Sequence, residues 1–376
     1  MDKKIIVLGS GLVGKVMAVD LSKKYDVTIA DINKTALEQI AKDHNVSILT
    51  CDFSRRADLK NLIHPFDLVI GAVPGFMGFE TLKTIIESGK NVVDISFFPE
   101  EALELEALAK KHNVTAVVDC GVAPGMCNII AGYHNKRMKI NKYECLVGGL
   151  PQKKEWPFEY KAVFSPIDVI EEYTRPARFV ENRNLIVREA LSDVVEEEFE
   201  VIGKLESFNS DGLRSLISTF SHVPNMKEKT LRYSGHAELM RIFRETGLFN
   251  KEKISVKGVE ISPLDLMTKL LFPKWKMIEG DEDFTVMRVT IEGQENDLPV
   301  TYIYNLHDKF DLENKTTSMA RTTGFTCTAA AHLVLENKFI RKGISPPEYL
   351  GEDEACFRFV LRYLEDRRVN YKIVSK

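Results

Sequence analysis

Ile5-Ile6-Val7-Leu8-Gly9-Ser10-Gly11-Leu12-Val13-Gly14 is the stretch that decides the fold of this chain. An apolar run enters a glycine-rich turn, and an amphipathic pattern continues to Leu21, which reads as strand, turn and helix. The three glycines serve different ends: the first makes the tight turn, the second lets a pyrophosphate approach the backbone, and the third lets helix and strand pack closely. The positive end of the helix then faces the diphosphate. A second apolar run, Val27-Thr28-Ile29-Ala30, ends in Asp31, about 20 residues on, where a carboxylate accepts hydrogen bonds from ribose hydroxyls. Gly9, Ser10, Gly11, Leu12, Val13, Gly14 and Asp31 are therefore the expected dinucleotide-binding residues; a glycine turn without a ligand is the alternative. Asp31 repels a 2′-phosphate, Ile32 and Asn33 offer no arginine to bind one, and Lys34 falls in the first turn of the next helix. NAD is expected over NADP.

The alternation continues. Helices are expected over about 34–44, 57–63, 78–87 and 100–112, and strands over 46–49, 67–72, 92–95 and 114–119. Six short apolar strands separated by amphipathic helices predict an α/β fold: a Rossmann domain with a doubly wound parallel sheet, since parallel strands need crossover helices. Asp52 and Ala72-Val73-Pro74 then fall at the carboxyl edge of the sheet, where ligands bind. Asp52 is placed either to face the adenine or to cap the helix that follows it. After Gly121 the period changes to two, clearest in the stretches 286–291 and 300–306, which should pair antiparallel. The second domain is expected to be α+β on a mostly antiparallel sheet. The small-residue stretch Ser318 to Val334 suits a helix packed closely against the first domain. The expected division is 1–121 with about 316–376 for the nucleotide domain, and 122–315 for a domain of substrate binding and dimerisation.

A chain of 376 residues exceeds what one core usually holds, in keeping with two domains. A net charge of -4 and no long basic run give no footprint for nucleic acid or an anionic membrane. No stretch approaches the roughly 20 apolar residues of a membrane span. The six cysteines form no CxxC pair, the histidines show no metal-ligand spacing, and the start Met-Asp-Lys-Lys lacks the apolar core of a signal peptide. A cytoplasmic protein with reduced thiols, no metal and a small-molecule partner is expected.

The segment Asp119-Cys120-Gly121-Val122-Ala123-Pro124-Gly125 follows the last parallel strand and crosses between domains. Its glycines and proline fix an unusual backbone path at the expected cleft. Further on come Leu146-Val147-Gly148-Gly149-Leu150-Pro151, Val163-Phe164-Ser165-Pro166, Tyr173-Thr174-Arg175-Pro176-Ala177, Ser210-Asp211-Gly212-Leu213-Arg214 and Lys229-Thr230-Leu231-Arg232-Tyr233-Ser234-Gly235-His236. In that order, with Met319-Ala320-Arg321-Thr322 and Gly343-Ile344-Ser345-Pro346-Pro347-Glu348, they resemble the saccharopine dehydrogenase family, most closely its NAD-dependent lysine 6-dehydrogenase branch. The resemblance implies a nucleotide-bearing Rossmann domain, a second domain holding an amino-acid-derived substrate, and a homodimer. Saccharopine reductases of the family tend to have Leu-Asp-Pro-Gly where this chain has Val122-Ala123-Pro124-Gly125, and Cys-Arg near the position of Asp31. Both departures argue against saccharopine as substrate.

Oxidation of a terminal amine needs a proton acceptor, hydride transfer from the adjacent carbon to nicotinamide, and addition of water to the iminium. It also needs an anchor for the substrate's α-carboxylate. Asp119 is the first candidate for acid–base work and His236 the second; a turn cap and a buried core histidine are their structural alternatives. Arg214 is the preferred carboxylate anchor, with Arg175 and Arg232 as alternates and Gly125 beside the substrate. The expected reaction is oxidative deamination of L-lysine or a similar diamino acid. Action on a saccharopine- or carboxynorspermidine-type secondary amine, and a non-catalytic NAD-binding sensor, are the alternatives. Trp156 and Trp275 are expected to pack loops.

Overall fold

The apolar run becomes β1 (Lys4–Leu8) of a parallel sheet, in a computed structural model that describes residues 3–278 and 280–376. With β2 (Asp26–Asp31), β3 (Ser47–Thr50), β4 (Leu68–Gly71), β5 (Asn91–Asp94) and β6 (Thr115–Val117), and with the strand Gly343–Ser345 at the edge, the order is Gly343–Ser345, β6, β5, β4, β1, β2, β3. All neighbours are parallel. Because successive side chains point to opposite faces, Ile5 and Val7 enter a core with Met17, Leu21 and Ile29, while Ile6 and Leu8 enter another with Leu59, Ile63 and Leu82. Both faces of the sheet are covered, which is why the strands read as unbroken apolar runs. The expected α/β doubly wound architecture is the observed one, with a seventh strand contributed from far down the chain.

The second sheet is mixed. Its main path runs Val195–Phe199, Gly203–Asn209, Asn225–Arg232, Lys139–Pro151, Asp283–Glu295, Leu298–Lys309, Tyr371–Ser375. Asn225–Arg232 and Lys139–Pro151 pair in parallel and the other neighbours antiparallel. The expected hairpin extends from Phe284↔Lys309 to Glu295↔Leu298. Only Asn296 and Asp297 form its turn, both with positive φ as a two-residue turn of this hand requires.

The helix Ser318–Leu335 lies against α1 (Leu12–Leu21), with Gly324 facing Val13, Val16 and Met17. Buried Asp20 of α1 fastens this return: it accepts hydrogen bonds from Thr328 (2.8 Å) and Tyr363 (2.7 Å) and pairs with Arg367 (2.9 Å). The last strand, Tyr371–Ser375, departs from the expectation that 316–376 belong to the nucleotide domain. It pairs with Leu298–Lys309 because that strand otherwise presents an open edge. Trp275 is fully buried in a separate aromatic core, whereas Trp156 is 91% exposed and packs no loop.

Candidate active site

A cleft of about 1440 Å³ opens along the carboxyl edge of the parallel sheet, between it and the second sheet. Its nucleotide end is built from backbone. A Cβ on Gly9 would fall on the carbonyl of Ala72, and one on Gly14 on the carbonyl of Gly9, so strand, turn and α1 close to van der Waals limits. A Cβ on Gly11 would meet no protein atom within 4 Å; this residue faces the cleft. The α1 N-terminus, without a side-chain cap, presents its first amides beside that opening. At the end of β2, the Asp31 carboxylate accepts from the Ser10 amide (2.6 Å) and the Asn33 amide (2.8 Å). Two further lone pairs remain for ribose hydroxyls. Asp52 also lines the cleft, and accepts from the Ser54 amide (2.9 Å), which holds its carboxyl below the usual range. That bond fixes the turn ahead of the helix Arg56–Ile63, so Asp52 is no cap of the helix itself. Leu12, Val13, Ala72, Val73 and Pro74 complete this wall, while Ser10 is not among the residues that line it. The open backbone at Gly11, the helix end and the Asp31 acceptor together fit a dinucleotide.

The other end of the cleft is built from charges, and here the structure redistributes the expected roles. Asp119 lines the cleft, but its two oxygens face Arg214 (Nε–Oδ2 3.3 Å, Nη2–Oδ1 3.4 Å) in a buried pair. Arg214 lies behind Asp119 rather than on the cleft and is thus no free anchor for a substrate carboxylate. Gly125 does not line the cleft either. It stands at φ +138° before the helix Met126–Asn135, where a Cβ would fall on Gly121, and its service is to the turn. His236 is buried at the start of the helix His236–Glu245, bonded to the Tyr173 hydroxyl (2.9 Å) and the Phe158 carbonyl (2.9 Å). Burial first, then the nearby Arg232, lower its pKa to about 3. The imidazole is neutral, spent on its neighbours and off the cleft, so the structure removes it from acid–base work. Arg232 reaches the cleft wall but donates to Glu172 (2.7 Å) and the Tyr173 hydroxyl (3.3 Å).

Arg175 differs from all of these. It lines the cleft with its guanidinium over the Phe97 ring, 4.6 Å from the centroid, and none of its three side-chain nitrogens has a hydrogen-bond partner among the described residues. Glu171 approaches only to 3.6 Å. Buried donors are rarely left so, and this one faces a cleft.

Carboxyls that sequence reasoning missed share the wall. Asp168, on the helix Pro166–Thr174, is buried, accepts from the Gly75 amide (3.3 Å) and has its pKa raised to about 6, chiefly by burial. Glu172 is held above the usual range by burial against the pull of Arg232. Asp211 is taken up by a two-pronged pair with Arg178 (2.8 and 3.0 Å), which also reaches Glu101 of the first domain (2.6 Å). Glu228 is buried with its pKa well above the ordinary value, again chiefly by burial. Its carboxyl lies where a Cβ of Gly212 would stand, which is why that position is glycine. Of these positions, only Asp211-Gly212 lies in a stretch whose sequence is distinctive. Among the described residues no group of three or more His, Cys, Asp or Glu side chains is arranged to hold a metal, and no helix is long and apolar enough to cross a membrane.

Residues 5–117 match the saccharopine dehydrogenase NADP binding domain and residues 121–369 the saccharopine dehydrogenase C-terminal domain. Over 418 residues the chain is 24% identical to the mitochondrial alpha-aminoadipic semialdehyde synthase of Mus musculus, covering 92% of this chain and 45% of that protein, so it spans less than half of that relative. It is 22% identical to the saccharopine dehydrogenase [NADP(+), L-glutamate-forming] of Pyricularia oryzae, over 92% of this chain and 93% of the other. Its fold matches apo saccharopine dehydrogenase (L-Glu forming) from Saccharomyces cerevisiae with a TM-score of 0.79, at 18% identity over the whole of both chains. The homospermidine synthase of Legionella pneumophila, solved in complex with NAD, matches with a TM-score of 0.69 at 12% identity, over all of this chain and 92% of that one. With two family domains matched in succession on a sheet, turn and cleft of the corresponding kind, the chain belongs to the saccharopine dehydrogenase family.

Proposed function

We propose that this protein is an NAD-dependent amino-acid dehydrogenase that oxidises the terminal amine of L-lysine, or a similar diamino acid, to the semialdehyde with release of ammonia. The observation that carries the reading is the charge of the cleft: one guanidinium without a hydrogen bond within the described residues, Arg175, approached only by Glu171 at 3.6 Å, stands among the carboxyls Asp119, Asp168, Glu171, Glu172, Asp211 and Glu228. A substrate with one carboxylate and two ammonium groups complements that wall. A tricarboxylic secondary amine such as saccharopine would bring further carboxylates against acids, with only the exposed Lys269 and Lys276 to offset them.

NAD, when bound, accepts the hydride from the carbon that bears the amine. The chain's residues do the rest. Arg175 holds the α-carboxylate in two-pronged fashion, Asp31 selects the unphosphorylated ribose, and the Val122–Pro124 turn supplies an apolar wall of the cleft that water must still enter to hydrolyse the iminium and release ammonia. Lys34, the nearest cation after Asp31 in the sequence, is engaged with Glu38 (3.6 Å), which supports the choice of NAD. The names of the relatives favour a second reading, a saccharopine-type dehydrogenase using NADP. NADH and NADPH formation at alkaline pH, measured with lysine, ornithine and saccharopine while trapping aldehyde and assaying ammonia, separates the two. Lysine turnover with NAD and ammonia release is the expected result; turnover of saccharopine alone would replace it with the second reading.

A further inference from the structure

We infer that Glu228 is the recognition site for the ammonium group that is oxidised, lining the same cleft as Arg175 and serving as the second pole of the substrate site; this rests on the amine-dehydrogenase reading. The charged side chains of the cleft pair off almost completely. Asp119 is held by Arg214, Asp211 by Arg178, Glu172 by Arg232, and Asp168 by the Gly75 amide. After these pairings Arg175 has only the 3.6 Å approach of Glu171 and no hydrogen bond, and Glu228 is left as an acid of the cleft wall for which the described residues provide no cation within ion-pair distance. Glu228 is only 6% exposed and lines the cleft, and of the charges near it among the described residues only Arg214, already paired with Asp119, is a cation. An unpaired carboxyl in such a place is costly unless a ligand completes it.

Its position is built, not incidental. Glu228, Thr230 and Arg232 alternate along the strand Asn225–Arg232 and all reach the cleft. Thr230 donates to Ser210 (2.8 Å) and Arg232 pairs with Glu172, so these two members of the row have protein partners and Glu228 is the third. Gly212 supplies the room in which the Glu228 carboxyl lies. The ionisable groups around it are Cys127 of the helix Met126–Asn135, Tyr143 and Cys145 of the strand Lys139–Pro151, Glu172 of the helix Pro166–Thr174, and Asp211 and Arg214 of the loop between strands. With acids outnumbering the one nearby cation, an arriving ammonium is the favourable complement.

Two substrate ammonium groups could be meant, and the surroundings of Arg175 divide them. The α-ammonium lies two bonds from the carboxylate that Arg175 holds, and Glu171 and Asp168, on the helix that Arg175 follows, are acids whose charges act on it. Glu228 stands instead beside the crossover that follows β6, with Cys127 and Arg214 as neighbours, and is left for the terminal ammonium. Burial raises the pKa of Glu228, and an ammonium bound beside it would favour the ionised carboxylate and oppose that shift.

Calorimetry on the protein saturated with NADH, using L-lysine, L-norleucine and 6-aminohexanoate as probes, tests the assignment. The wild type should bind lysine more tightly than norleucine, and E228Q should weaken lysine about 10–100-fold while leaving norleucine unchanged. The preference for lysine over 6-aminohexanoate should survive in E228Q. In the wild type, lysine binding should be linked to a proton release that norleucine binding lacks, read from the buffer dependence of the heat across a range of pH, a measurement that needs no variant. The assignment falls if E228Q still separates lysine from norleucine, if it instead erases the difference from 6-aminohexanoate, or if the wild type shows no preference for the terminal ammonium. Discrimination in binding with no NADH formed from lysine would overturn the dehydrogenase reading and leave the subsite standing.

Discussion

The two ends of the cleft are made by different means. At the nucleotide end the ligand is met by backbone: a glycine turn, the amides of α1 and one carboxylate already oriented by two amides. At the substrate end it is met by side chains from five or more separate segments, most of them neutralising one another before any ligand arrives. Backbone sites are specified by local sequence, because the residue that makes the turn is the residue that binds. Side-chain sites are specified by partners, so the same residue type is a scaffold in one place and a ligand in another.

Arg214 and Arg175 break or sharpen that contrast most directly. The two heads are close: both guanidinium groups lie on Phe97, at 4.6 Å for Arg175 and 5.2 Å for Arg214. Arg214→Ala leaves Asp119 buried without its counter-ion and should cost about 3–5 kcal/mol of stability. The double substitution D119N/R214M should recover much of that loss, seen as the urea midpoint of unfolding. If R214A instead unfolds like the wild type and raises KM for lysine, Arg214 is the anchor after all.

Asp94, beneath the same pair, carries the next largest expectation. It is fully buried, bonded by the Ser96 amide (2.8 Å) and hydroxyl (3.2 Å), and its pKa is raised to about 8, by burial first and by the neighbouring Asp119. The unfolded chain releases this proton near pH 4 and the folded one near pH 8. Between those values the folded state binds more protons, and stability falls as pH rises, by up to about 1.4 kcal/mol per pH unit from this group. D94N keeps an acceptor for the Ser96 amide and removes the titration. Unfolding at pH 5 and pH 8.5 should show a smaller loss in D94N than in the wild type; equal losses would mean that Asp94 is ionised in the fold.

Arg175→Ala should behave oppositely to Arg214→Ala. With no hydrogen-bond partner to abandon, the protein should unfold at or above the wild-type midpoint. Loss of a charged contact to the substrate carboxylate should raise KM for lysine about 10–100-fold with NAD affinity unchanged. A stability loss without a KM effect would make Arg175 part of the scaffold.

The same contrast explains what can be read from the chain. The period of the first 120 residues, the turn and Asp31 are all statements about neighbours in sequence, and the parallel sheet they predict is the one observed. The parallel pairing of Lys139–Pro151 with Asn225–Arg232 joins strands more than 70 residues apart, and nothing local announces it. Nor does Tyr371–Ser375 carry a sign of the edge it covers. Asp119 and Arg214 invite separate roles when read in sequence, because a carboxylate and a guanidinium are each suited to substrate; only their 3.3 Å approach shows that they answer one another. Glu228 carries no local sign at all, because its signal is a gap at Gly212, a relation between two segments that meet only in the fold.

Gly11 and Gly14 turn the nucleotide end into its own test. They are three residues apart in one motif, yet one faces the cleft and the other the Gly9 carbonyl. Gly14→Ala drives a methyl into backbone that has no room to yield, and overpacking of this kind costs about 1–3 kcal/mol. Gly11→Ala meets no protein atom, and its melting temperature should stay at the wild-type value. The added methyl stands where a pyrophosphate would approach, so the loss of one charge-assisted contact should weaken NAD binding about tenfold or more. Melting curves with and without NAD read both effects at once: G11A should lose the shift that NAD produces in the wild type while its baseline holds, and G14A should lose baseline. If G11A keeps the full shift, the diphosphate does not lie on this turn, and the backbone end of the cleft must bind its ligand by some other surface.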